Sequence, residues 1–234
     1  DAQSSASSDY VTAIGDGAGG TSPRAGAVLL GRDSGSSSAG FRSVSIGYEA
    51  GKTNSLTDPD DSGQLSVNIG GQAGYQNAGY GSLNLGFRSG YINAGFCAIN
   101  LGVRSGEQSS APHAINIGCD AGVSTSKANA ISIGYQAGTN NNGIDSINIG
   151  NQAGNNNSGT DSINLGRSAG DNSGAFSINL GSDAGDACGS GSINIGSGAG
   201  SSSSNTVNIG PGASGGTNSV HVGNLSGNSG PGNF

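Results

Sequence analysis

The stretch SINIGNQAGNNNSGTDSINLGRSAG, residues 146–170, says one thing twice. Ser146, Ile147, Asn148, Ile149 and Gly150 return after 16 residues as Ser162, Ile163, Asn164, Leu165 and Gly166, and Ala153-Gly154 returns as Ala169-Gly170. The same signature extends outward in both directions, with its glycine at Gly15, Gly31, Gly47, Gly70, Gly86, Gly102, Gly118, Gly134, Gly150, Gly166, Gly181, Gly196, Gly210 and Gly223. The intervals are 16, 16 and 23, then six of 16, then 15, 15, 14 and 13. A period held over fourteen units marks a repeat architecture in which each unit is one supersecondary element.

Within each unit the residue before the glycine is Ile, Leu or Val, and the residue three before it is Val, Leu or Ile in every unit but the first, where Thr12 stands. Asparagine lies between them in nine units. Alternation of apolar and polar residues has the period of a β-strand and puts the two aliphatics on one face. A second glycine follows four residues after the first, as at Gly74 and Gly90, and sets a tight corner after an Ala or Ser. One short strand cannot bury an apolar face alone, so the units are expected to stack. The expected fold is all-β: a parallel β-solenoid, in the form of a narrow β-roll of about 14 coils with a 16-residue repeat. The aliphatics are expected to fill a thin core and the asparagines to form a ladder up one side. Residues 1–9 read as a lead-in, 10–227 as the solenoid with an inserted loop at 52–64, and 228–234 as a tail.

Composition alone suggests a different chain. Of 234 residues 47 are glycine, short of the one third a collagen triple helix needs. Charged residues are 10% and hydrophobic ones 32%, numbers that without the repeat would read as low-complexity disorder. No apolar run approaches the length of a membrane-spanning helix. The net charge of −7 argues against nucleic acid as a partner. Cys97, Cys119 and Cys188 have neither disulfide-framework nor zinc spacing.

Segments SIGYEAG (45–51), NIGGQAG (68–74), SIGYQAG (132–138) and NIGNQAG (148–154) resemble the I-G-Y-Q-A-G repeats of phage tail-fibre and related adhesin proteins. More distantly, they are similar to the head repeats of trimeric autotransporter adhesins. The resemblance spans roughly residues 10–227 and implies a β-roll in a homotrimer, on the outside of a cell or virion. It implies a non-enzymatic fibre that forms a structural rod and attaches to a host or surface. The thin core points the same way, because further burial between chains would stabilise it. A subunit of an end-to-end extracellular filament or matrix fibre is the first alternative, and an ice-binding solenoid that orders water on its asparagine column is the second.

No constellation of catalytic residues emerges. His113 and His221 fall in different coils, too far apart along the stack to share a site. The serines have no partner base at a recurring spacing. No cofactor is expected. Asp58, Asp60 and Asp61 cluster in the inserted loop; they offer hard oxygen ligands, yet the calcium-roll nonapeptide is missing, so the loop reads as a solvated protrusion. The aromatics Tyr75, Tyr80, Phe87, Tyr91, Phe96 and Tyr135 are the stronger candidates for an interaction surface that meets another copy of the chain, a host glycan or a host protein, the alternative being that they fill the corner of the roll. Register predicts that Tyr75 and Tyr91 stack and that Arg104 pairs with Asp120.

Overall fold

The computed structural model describes residues 10–20, 23–53, 64–76, 78–108, 111–124, 127–140, 143–156, 159–200 and 202–227. Most of the inserted loop, including Asp58, Asp60 and Asp61, lies outside them. The chain divides into two compact units, Asp1–Ser126 and Lys127–Phe234. The first holds β1 (Thr12–Ile14), β2 (Val28–Leu30), β3 (Val44–Ile46), β4 (Val67–Ile69), β5 (Leu83–Leu85), β6 (Ile99–Leu101) and β7 (Ile115–Ile117). The second holds β8 (Ile131–Ile133), β9 (Ile147–Ile149), β10 (Ile163–Leu165), β11 (Ile178–Leu180), β12 (Ile193–Ile195), β13 (Val207–Ile209) and β14 (Val220–Val222).

Inside each unit every strand pairs in parallel with the next in sequence, and like positions face like: Ile147 with Ile163, Asn148 with Asn164, Ile149 with Leu165. The changing coil length does not disturb this register. Ile178 still faces Ile193 across a 15-residue coil, and Ile193 faces Val207 across one of 14. The hydrogen bonds continue past the strands. Gly166 N donates to Ile149 O, Ser168 N to Asn151 O and Gly154 N to Ala169 O, so the corner and the return wall are laddered too. The fold is an all-β, parallel β-solenoid.

Two glycine positions shape each coil. Gly150, at the end of β9, has φ +140, and a Cβ there would lie 2.3 Å from the carbonyl oxygen of Gly166 in the next coil. Only glycine adopts that conformation without strain and lets the two backbones approach so closely. Gly154, in the return wall, has φ +60, and a Cβ there would lie 1.8 Å from Asn148 Oδ1. Between them the chain reverses through Asn151 and Gln152, the latter at φ 58, with Ala153 N donating to Gly150 O.

The interior is the reverse of the sequence expectation. Asn68, Asn84, Asn148, Asn164 and Asn179 are 0% exposed, while Ile149 and Leu165, immediately after the asparagine, are each 37% exposed. The aliphatics therefore point out of the roll and the asparagines into it. The other inward positions are small: Ala73, Ala153 and Ala169 after the corner, and Ser66, Ser146 and Ser162 before the strand, all fully buried. The return-wall glycine stands close against the inner column, as Gly154 does against Asn148 and Gly35 against Leu29, so each coil holds one medium-sized side chain there between small neighbours. Among the described residues, Leu29 in β2 is the one large apolar side chain accommodated there, packed with Ala27 and Ala39.

Burial of an amide costs free energy unless its hydrogen bonds are made. Here they are. Asn84 Nδ2 donates to Asn68 Oδ1 at 2.8 Å, Asn100 to Asn84 at 2.8 Å and Asn116 to Asn100 at 2.9 Å in the first unit. In the second, Asn164 donates to Asn148, Asn179 to Asn164, Asn194 to Asn179 and Asn208 to Asn194, at 2.7–2.8 Å. The serine before the strand accepts a second bond from the same amide nitrogen, as Ser82 Oγ does from Asn84 at 3.2 Å. The ladder ends at Asn116 in the first unit and at Asn208 in the second, and the Oδ1 of each has no partner; opposite Asn208, β14 carries His221 in that column.

Candidate functional site

The outward side of the sheet is the most distinctive surface of each unit. Two aliphatic columns run along it, as in Leu83 and Leu85, Ile99 and Leu101, or Ile147 and Ile149. Residues just after the strand glycine border one edge, with Phe87 52% and Tyr135 48% exposed, and Val103 and Cys119 also open. Residues five or six before the glycine border the other, among them Leu65, Phe96 and Phe176. Among the described residues, every exposed large hydrophobic side chain belongs to this face or its edges, with Leu225 the exception. Scattered exposed apolar residues are ordinary; collected on one face they mark an interaction surface.

The six aromatics singled out in the sequence do not form one patch. Tyr75 and Tyr91 stack as the register predicts, with centroids 4.9 Å apart and planes 17° apart, but on the return side of the coil. Lys52 lies 5.7 Å from the Tyr75 centroid and Arg88 4.3 Å from that of Tyr91. Ring faces are thus turned to each other and to cations, which leaves their edges to solvent. Tyr80 and Phe96 also stack, at 5.3 Å, and His113 meets Phe96 edge-on at 5.6 Å. Such pairs brace successive coils. Phe87 differs, because its ring lies over Gly71 of the preceding coil while half its surface stays open.

Charged side chains pair between coils. Arg104 makes a two-pronged contact with Asp120, Nε to Oδ1 at 2.7 Å and Nη2 to Oδ2 at 2.8 Å, which raises the guanidinium further above its ordinary value. Arg88 Nη2 meets Glu107 Oε1 at 2.6 Å. Glu49 accepts from Gln72 at 2.9 Å and from Lys52 at 2.6 Å; these bonds hold its carboxyl below the ordinary value and push Lys52 up. Burial, with Asp186 nearby, raises Asp171. In the Arg104–Asp120, Arg88–Glu107 and Lys52–Glu49 pairs the carboxylate is only 10% exposed while the cation reaches solvent, so each pair satisfies a buried acid as well as fixing register.

Among the described residues no three His, Cys, Asp or Glu side chains gather as a metal site. His113 sits against Phe96, and His221 Nε2 lies 3.0 Å from Ser219 Oγ. The asparagine column, which the sequence offered for ordering water, is interior and meets no external surface. Sequence reasoning missed the paired aliphatics as surface residues. The available signal was the opposite strand parity: Ser, Asn and, beyond the corner, Ala or Ser are uniformly small, as a tight interior requires. Neither a scan against protein-family models nor a search of curated proteins found a match to this chain.

Proposed function

We propose that the chain is a non-enzymatic fibre subunit of a cell or virion exterior, a solenoid rod that associates with further copies and presents repeated side chains for attachment to a host or surface. The observation that carries this reading is that, among the described residues, the exposed large apolar side chains of each unit, Leu225 apart, collect on its outward sheet face and that face's edges. A surface that repeats at every coil suits extended, multivalent contact rather than a single recessed site. The resemblance of segments such as SIGYQAG (132–138) to tail-fibre and adhesin repeats supports the exterior placement. Attachment falls to the edge after the strand glycine, where Phe87 and Tyr135 keep open ring surface.

The test is adhesion of the purified chain, immobilised on beads, to whole cells and to a glycan array. Binding that falls about tenfold or more in Phe87→Ala/Tyr135→Ala is the expected result, the size of a hot-spot loss. Retained binding in that variant moves attachment elsewhere, and a chain that adheres to nothing contradicts the attachment role.

A further inference from the structure

We infer that the outward sheet face is a seam between copies of this chain, so that the main hydrophobic core of the protein lies between chains rather than within one. The inference rests on the fibre reading above and names the partner of its sheet face. Its starting point is the inverted interior: inside the roll the columns are Asn, Ser, Ala and Gly, and the repeated Ile, Leu and Val side chains lie outside. Position after position, the best apolar residues of the sequence are held where one chain alone cannot bury them.

Area supports a stable contact. Seven strands at ~4.8 Å spacing and about six residues of width at ~3.3 Å give each unit a face of roughly 600 Å². Two such faces in contact remove about 1,200 Å² from solvent, above the roughly 1,000 Å² expected of a specific interface. Shape supports the same partner. The aliphatics form ridges at the strand repeat, and close packing needs a surface with matching ridges. A second copy has that repeat, and two sheets packed face to face at ~10 Å interdigitate such side chains.

Charge decides against a lipid surface as the occupant. The two aliphatic columns carry no ionisable residue in any of the fourteen strands. Their borders carry both signs, with Arg42, Asp145 and Asp161 on one side and Asp16, Arg32 and Arg167 on the other. The chain as a whole is at −7, which anionic headgroups repel. Mixed borders around a neutral centre are complementary to themselves and not to a membrane.

The experiment compares the full chain with Leu85→Lys/Ile149→Lys/Leu165→Lys by native mass spectrometry and sedimentation across a dilution series, with far-UV circular dichroism as the check on folding. The wild-type mass is expected at an integer multiple of the chain mass above one, and the lysine variant at a single chain with the β-signature kept. Thr139→Lys/Asn155→Lys, on the return wall, is expected to leave the assembly intact. If the lysine variant loses its β-signature, Leu85→Thr/Ile149→Thr/Leu165→Thr replaces it and is expected to weaken association at least about tenfold, the loss read for hot-spot contacts. A single-chain wild type at every concentration, or single chains recruited by neutral vesicles, overturns the seam. Assembly that survives the substitutions overturns the seam too, while leaving the fibre reading in place.

Discussion

Asn164 Nδ2 donates to Asn148 Oδ1 at 2.8 Å across two adjacent coils, with both side chains 0% exposed. Asn164 in turn accepts from Asn179 at 2.7 Å, so each amide is donor to one neighbour and acceptor from the other. This satisfied chain of amides is what makes a polar interior compatible with burial.

Asn164→Ala breaks two rungs at once. It leaves Asn148 Oδ1 buried without a partner and takes the shorter of the bonds from Asn179 Nδ2, whose remaining contact is Ser177 Oγ at 3.3 Å. A buried polar atom without a partner costs ~1–3 kcal/mol, so the variant is expected to lose about 2–4 kcal/mol in a denaturant titration. A loss below about 0.5 kcal/mol would mean the ladder is not a structural element.

Gly150→Ala and Gly198→Asn separate the two ways the chain uses positive φ. Gly150→Ala meets the Gly166 carbonyl oxygen, whereas a Cβ at Gly198 meets nothing within 4 Å. The equivalent position in other coils already carries Gln136, Gln152 and Asp183 in the same left-handed region. Calorimetry is expected to show a destabilisation of at least about 3 kcal/mol for the first and under about 1 kcal/mol for the second.

How much of this was legible in sequence depended on what a single spacing can carry. The spacing of Gly150 and Gly166 showed the coil length, and Ile147, Asn148 and Ile149 showed a strand, because both are one-dimensional signals. Which face of that strand points inward is decided by the width of the coil, and that width is set by Gly154 standing against Asn148 Oδ1 on the opposite wall. The usual rule that aliphatics face the core fails here because the inner face offers each coil one central strand position, filled by Asn in nine coils and by Leu29 in one, while the two flanking aliphatics fall on the other face. The Arg104–Asp120 and Tyr75–Tyr91 contacts were readable, since both follow from register alone. The neighbours that turn the tyrosine faces away from ligand, Lys52 and Arg88, come from other columns and were not.

His221→Asn extends the ladder by one rung. Asn208 Oδ1 is buried without a partner, and β14 holds His221 opposite Asn208. An amide in that column supplies the missing donor, with an expected gain of about 1 kcal/mol and a higher melting temperature. A lower melting temperature would show that the histidine ring contributes more by packing against Gly215 and Gly227 than the lost bond costs.

The Glu49 cluster gives an acid limb. Its carboxyl is held below the ordinary value of 4.5, first by Gln72 and then by Lys52, so its contribution is complete above 4.5 and is lost as pH falls through the folded value. Lys52 is raised above 10.5 by Glu49, and its contribution is complete below 10.5 and lost as pH rises through the folded value. Melting temperatures of Glu49→Gln and wild type are expected to converge as the solution is acidified below this range. A difference independent of pH would assign the effect to packing.

Side-chain amide hydrogen exchange by NMR, read at Asn148, Asn164 and Asn179, tests the inverted interior most directly. Protection of their Nδ2 hydrogens comparable to that of the β9–β11 backbone amides is the predicted result. Exchange at the rate of a free asparagine side chain would place the amides in solvent and contradict it.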